Sequence, residues 1–374
     1  MKFYSHSRIF LLLISAIAFP GMVNAQCCSG GSGSPISGGG SQGVLQHYQI
    51  EISTSFQHIF TDNFFTGTQR DTTKYFDSFT SSYEYFRFGY GLSDKFSMSL
   101  EGGYYFLKKE IGMNANPVTT YQSKGMGDLI LFPRYTVFNK LNEKSKTEIT
   151  AGLGFKIPIG SYNDSTSNIE PFSGTTYYVT KPQSVQLSSG ANDFIFQLFL
   201  FHGFTKNNFR VFANSYYIRK GWNPIGEKLG DYSSVALFAG KSFFNFLGVN
   251  LQVRYEQVKP MQLNQDILLY HYPNYDPEAT GYKKIFIAPQ IGFTKKNFSV
   301  FAMTEIPVYQ NVVKTQVGSE YLTTFGLSYK FLTAKNSPEN LIEPGSYYCP
   351  MHLDVVSLVP GSCPDCGMHL ILMK

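Results

Sequence analysis

"FLGVNLQVRYEQ", residues 246–257, alternates with a period of two. Leu247, Val249, Leu251, Val253 and Tyr255 fall on one face, and Gly248, Asn250, Gln252, Arg254 and Glu256 on the other. Successive side chains of a strand point to opposite sides, so the stretch reads as a strand with one apolar and one polar face. "TEITAGLGFKIPI" (147–159) repeats the pattern, setting Ile149, Ala151, Leu153, Phe155 and Ile157 against Glu148, Thr150, Gly152, Gly154 and Lys156. "KIFIAPQIGF" (284–293) sets Ile285, Ile287, Ile291 and Phe293 against Lys284, Ala288, Gln290 and Gly292.

Working outward, about twelve such segments occur: 44–58, 83–92, 95–107, 126–139, 146–158, 191–204, 208–219, 231–243, 246–258, 281–294, 297–309 and 320–331. Short turns ("LSDK", "NKLNEKSK", "TKNN", "FFNF", "TKKN") alternate with long polar loops at 59–82, 108–125, 159–190, 220–230, 259–280 and 310–319. A soluble sandwich has no reason to sort its loops by parity, whereas outer-membrane barrels have short periplasmic turns and longer external loops. The expected fold is therefore all-β, an antiparallel transmembrane β-barrel of about twelve strands over 44–331. If residue 44 enters from the periplasm, every short turn is periplasmic.

The composition agrees. Aromatic residues make up 16% of the 374, with 34 Phe and 26 Tyr against one Trp, and only 15% are charged. No stretch of the mature chain offers about 18 consecutive apolar residues, so no membrane-spanning helix is expected. The net charge of +5 is spread along the chain, which argues against a nucleic-acid partner. The expected partners are outer-membrane lipid and, from the C-terminal residues below, a heavy-metal ion. On the barrel reading Glu101, Arg134, Glu148, Lys156, Arg210, Arg254, Glu256 and Lys330 face the lumen, because a charge facing lipid near the midplane costs roughly 2–4 kcal/mol. Their simplest role is to pair with one another inside a narrow barrel.

The first 25 residues, "MKFYSHSRIFLLLISAIAFPGMVNA", read as a secretory signal peptide. Lys2 and Arg8 precede an apolar run from Ile9 to Phe19, and a small-residue site ends at Ala25. Residues 26–43 form a Gly/Ser-rich tether carrying Cys27 and Cys28, with no apolar periodicity. Both termini are expected in the periplasm, with the barrel in the outer membrane.

"TFGLSYKF" (324–331) alternates Phe325, Leu327, Tyr329 and Phe331 with Thr324, Gly326, Ser328 and Lys330. It resembles the terminal strand signal read by the outer-membrane assembly machinery, although 43 residues follow Phe331. "GMGDLILFPRYTVF" (125–138), "GLGFKIPIGSY" (152–162) and "SSGANDFIFQLFLF" (188–201) carry three motifs in order. These resemble the Gly-x-Gly-Asp, Lys-x-Pro-x-Gly and Ser-Gly-x-x-Asp-Phe strand ends of a barrel family named for transport in the phenol meta-degradation pathway. Ile159 stands where that family more often has Thr. In the residues themselves, glycines and aspartates at strand ends also simply serve turns.

Past a polar, Pro-containing linker at 332–346, residues 347–374 include "YYCPMHLDVVSLVPGSCPDCGMHL" (347–370). Cys349-x-x-His352 and Cys363-x-x-Cys366 are two pairs on tight turns, and two such turns close a tetrahedral Cys3His site. Met351, Met368 and His369 add soft ligands, so the cofactor reading is a soft transition metal ion, Cu(I) or Ag(I) as well as Zn(II). The stretch is similar to the heavy-metal-binding domain attached to copper-exporting ATPases and to periplasmic adaptors of copper and silver efflux pumps. Leu353 departs from that pattern, where Pro is usual. The resemblance implies periplasmic metal-efflux components as partners. A disulfide framework is the alternative, since the periplasm is oxidising, but five cysteines cannot all pair within one chain. Cys27 and Cys28 are a second, less specific candidate for metal ligation, or an oxidised pair.

No nucleophile–base arrangement stands out, so the chain is expected not to be an enzyme. The functional expectation is an outer-membrane barrel engaged in heavy-metal, copper-type handling, export or tolerance. The alternative is a passive porin or transporter for small organic molecules whose module is a structural zinc site or metal buffer.

Overall fold

The structure is a computed structural model that describes residues 43–112, 120–142, 145–170, 172–204, 208–244, 246–264, 278–295, 297–333, 342–349, 352–361, 363 and 370–373. The expected signal peptide, Cys27, Cys28 and almost all of the tether lie outside the described residues, as do 334–341 of the linker.

Twelve long strands among the described residues close into one antiparallel barrel: β1 (Gln49–Thr61), β2 (Phe76–Ser93), β3 (Phe96–Gly112), β4 (Leu129–Asn142), β5 (Ser145–Ile157), β6 (Asp193–Phe204), β7 (Phe209–Arg219), β8 (Tyr232–Phe243), β9 (Leu247–Val258), β10 (Tyr282–Lys295), β11 (Phe298–Val317) and β12 (Leu322–Leu332). Each strand pairs with its sequence neighbours, and β12 pairs back onto β1 from Gln49 opposite Leu332 to His58 opposite Thr323. Both ends of the barrel chain therefore reach the same rim, here called the near rim. The near rim carries only short connections, and the far rim carries the long ones together with the four-residue connection 318–321.

The period of two determines what each face meets. Along β6, Phe194, Phe196, Leu198 and Leu200 are exposed, while Asp193, Ile195, Gln197, Phe199 and Phe201 are buried. Along β9, Val249, Leu251, Val253 and Tyr255 face outward and Asn250, Gln252, Arg254 and Glu256 are buried. No helix among the described residues is long and apolar enough to cross a membrane. A wall of outward Phe, Leu, Val and Tyr around buried charges suits a bilayer crossed by strands.

The far-rim connections differ from the expected irregular loops. The stretch 310–319 is mostly strand, because β11 runs on to Val317 and pairs with Phe64–Gly67. β2 begins at Phe76 instead of 83, and β3 continues to Gly112, where it pairs with a short strand, Thr120–Met126. The loop expected at 159–190 contains a hairpin of Ser165–Ile169 and Thr176–Thr180. Strands that overrun the bilayer keep their backbone donors and acceptors paired, and the polar residues that made these stretches read as loops sit where water is available.

All eight expected lumen charges are inward: seven are buried and Arg210 is half-buried, donating to Asn250 Oδ1 at 3.3 Å. They pair with charges the sequence reading passed over. Glu101 lies 3.0 Å from Arg134 and 3.4 Å from Arg87, which lies 3.0 Å from Glu51; Lys330 approaches Glu51 at 3.6 Å. Ser99 and Tyr85 donate to Glu101 at 2.6 and 2.8 Å. Arg254 takes Glu305 in a two-pronged grip at 2.6 and 3.0 Å and also pairs with Glu256. Glu51 alternates with Ile50 and Ile52, and Arg87 with Phe86 and Phe88, so the same periodicity that found the strands would have found these charges.

Two outcomes are expected in denaturant unfolding of the lipid- or detergent-folded chain. Val253→Arg, at the centre of the lipid face of β9, destabilises by about 2–4 kcal/mol, while Val253→Leu stays within about 1.5 kcal/mol. Glu101→Ala leaves Arg87 and Arg134 facing one another and costs on the order of 3–5 kcal/mol.

Candidate metal centre

The C-terminal module is a three-stranded antiparallel sheet. β13 (Tyr347–Cys349) lies between β14 (His352–Ser357) and β15 (Ile371–Leu372). Tyr347 pairs with Ser357 and Leu372, and Tyr348 with Val356 and Ile371. The register shifts after Tyr348, so that Cys349 comes opposite His352. This pairing sets the backbones of Cys349 and His352 side by side at one end of the ladder. Gly345, at φ +88, starts the module in a conformation that a residue with a Cβ adopts rarely. Its N–H donates to Met373 O at 2.9 Å, which ties the entrance of the module to its last described residue.

One side of this sheet carries the chemistry. Cys349 and Cys363 are 0% and 1% exposed and share a buried cluster with Val355 and Leu370, against which Tyr347 packs. The two cysteines come from the two halves of the motif, and among the described residues no disulfide joins them. Leu370 N donates to Gly361 O at 2.9 Å, which brings together the two residues that flank Cys363 in the second half of the motif. Two buried thiols in one pocket, beside a backbone that sets a histidine opposite one of them, are the donor types a soft or borderline metal takes.

The other expected ligands stand as follows. His352 is described as the first residue of β14. Met351, Cys366, Met368 and His369 lie outside the described residues. Among the described residues, no three His, Cys, Asp or Glu groups gather as a metal cage. So short a module buries little apolar surface, and domains below about 40 residues usually need a metal or disulfides to hold a fold.

A family profile described as "Heavy metal binding domain" matches residues 346–372. No curated protein matches the chain. Among solved structures, an outer membrane channel from Pseudomonas putida F1 is similar with a TM-score of 0.51 at 11% identity, over 78% of this chain and 98% of that one. Looser likenesses include the KdgM porin (TM-score 0.36, 9% identity, 75% and 99% covered). The translocator domain of the autotransporter NalP from Neisseria meningitidis is another (TM-score 0.37, 9% identity, 87% and 94% covered). The likeness to the channel concerns the fold of an outer-membrane β-barrel alone, and the profile match concerns residues 346–372 alone.

The burial of the two thiols has a direct readout. In the folded full-length chain, Cys349 and Cys363 are expected to react with a bulky maleimide at least about tenfold more slowly than after denaturation, as buried thiols are inert. Peptide mass spectrometry resolves each site; equal rates in both states would contradict the packing.

Proposed function

We propose that this chain is an outer-membrane barrel that takes part in heavy-metal handling of the copper type, in export or tolerance. The observation that carries the reading is the pair of buried thiols, Cys349 and Cys363, inside a segment matched by a heavy-metal-binding profile. In this reading Cys349, Cys363 and Cys366 supply thiolates and His352 an imidazole, with Met351, Met368 and His369 as further soft donors. Bound there, Cu(I), Ag(I) or Zn(II) crosslinks the two halves of the motif and releases the thiol protons. Affinity therefore falls as pH falls, because protons compete for each thiolate.

The barrel begins and ends at the rim that carries the short connections. With short turns periplasmic, as in outer-membrane barrels generally, the module and Cys27–Cys28 stand on the periplasmic side. There they would meet metal, and efflux partners, before the lumen. Cys27 and Cys28 would act as auxiliary capture ligands on their tether.

A second reading has its own support. The strand ends at 125–128, 156–160 and 189–194 resemble a family named for transport of a phenol-degradation pathway, and the barrel has the fold of an outer membrane channel. On this reading the barrel passes small organic molecules and the module is a structural zinc site or a metal buffer.

Deleting residues 336–374 separates the two. Metal handling predicts lower tolerance of copper or silver in growth assays, reproduced by Cys363→Ser in the full chain. Unchanged tolerance together with impaired growth on a small organic substrate would favour the second reading. In purified chain, Cys349→Ser or Cys363→Ser is expected to weaken binding by more than the roughly 10–100-fold typical of outer-shell changes, measured by competition with a chromophoric chelator.

A further inference from the structure

The three strand-end motifs at 125–128, 156–160 and 189–194 lie at the far rim of the neighbouring strands β4, β5 and β6, and they meet around one ammonium. Lys156 Nζ lies 2.7 Å from Asp128 Oδ2, 3.0 Å from Asp193 Oδ2 and 2.6 Å from Ser189 Oγ. Lys220 adds a second cation to Asp193 at 3.0 Å, and the Gly221 N–H donates to its other oxygen at 3.1 Å. The motif glycines permit the approach. A Cβ on Gly160 would come within 2.8 Å of Met126 O, and one on Gly190, at φ +71, within 2.4 Å of the Tyr162 ring. These residues do more than turn the chain: they clamp together the ends of β4, β5 and β6.

What the clamp holds is the stretch immediately before β6. Residues 183–190 include one turn of 3₁₀ helix, Gln183–Val185, and they enter the barrel mouth at the far rim. The inward residues of β3 mark the depth. Climbing from the Glu101–Arg134 pair, they are Tyr105, then Lys108 and Glu110 beyond a register shift. Leu187 packs with Tyr105, Tyr83 and Tyr85, and Tyr85 itself donates to Glu101. Gln186 O accepts from Lys108 Nζ at 2.7 Å, and Ser184 Oγ donates to Glu110 at 2.5 Å. Val185 is fully buried among Phe64, Phe76, Phe79, Tyr121 and Val317, which come from β2, β11 and the far-rim connections. The segment thus sits on the tyrosine layer directly above the charged network, inside the wall.

We infer that residues 183–190 are an inward-folded constriction at the far mouth, keyed in place by the Lys156 clamp, and that they set the size of solute that passes there. Pore diameter and lining groups govern what a channel admits. The groups packed together at this level are Leu187 and the three tyrosines, with Lys108 and Glu110 engaged by the segment itself. The inference rests on the barrel being a channel and is independent of the metal module.

The test is planar-bilayer conductance of the purified full-length chain, with folding checked by heat-modifiable gel migration. Replacing residues 183–189 by a short Gly/Ser link is expected to raise single-channel conductance about threefold or more, since a wider mouth admits more ions. Lys156→Met, which keeps the segment and removes its key, is expected to give frequent excursions to that higher level. Glu110→Cys with Ser184→Cys provides a variant that retains the clamp: oxidised, it holds the lower level, and a reductant releases it. A wild-type current that is unchanged in all three folded variants overturns the constriction and leaves the channel reading standing. Silence of the wild type and of every folded variant overturns both.

Discussion

Backbone hydrogen bonding in a medium without water is the constraint on which the rest of this structure depends. A strand in lipid cannot leave an N–H or C=O unpaired, so the sheet has no edge: β12 returns to β1 and the barrel closes. Closure dictates the rest. Every strand has one face toward lipid and one toward the lumen, so the chain needs a period of two throughout. Because the strands are hairpin-linked in strict order, successive connections alternate between the two rims.

Closure also creates an interior that must be filled. Carboxylates and guanidinium groups excluded from lipid converge there, and they are held by partners on neighbouring and next-neighbouring strands: Glu51, Arg87, Glu101 and Arg134 link β1 to β4 in succession, and Arg254 and Glu305 bridge β9 to β11. Aromatic faces support these cations, with Arg134 over Phe132 at 4.2 Å and Arg254 over Phe286 at 4.6 Å. An ion pair taken from water is stable only where its remaining donors and acceptors are satisfied, and Ser99, Tyr85 and Gln197 do this around Glu101 and Arg134. The C-terminal module meets the opposite situation. It has too little apolar surface to fold by burial, and its thiols pack together where a metal would complete the core.

The strands were legible because alternation is local: each residue's face follows from its neighbours, as in 246–257. The C-terminal motif was legible for the same reason, since its two x-x spacings are local, and a heavy-metal-binding profile matches residues 346–372. The partners of Glu101, Arg134 and Arg254 were not, because they depend on strand order and register. Asp128, Lys156 and Asp193 were each visible at a strand end and reasonable as turn residues; only in three dimensions do they form one clamp. The overruns of β2, β3 and β11 were hidden by polar composition, which marks contact with water and does not distinguish a loop from a strand beyond the bilayer.

The sequence by itself determined the all-β class, the faces of each strand, the sorting of short and long connections, and the soft-donor character of the C-terminal residues. These follow from side-chain chemistry at fixed local spacing. The tertiary structure alone decided which charges pair across the lumen, that Cys349 and Cys363 share one buried cluster, and that Leu187 packs against the tyrosines of β2 and β3. Those facts depend on closure and register, which bring together residues separated by tens to hundreds of positions and leave no periodic trace in the chain.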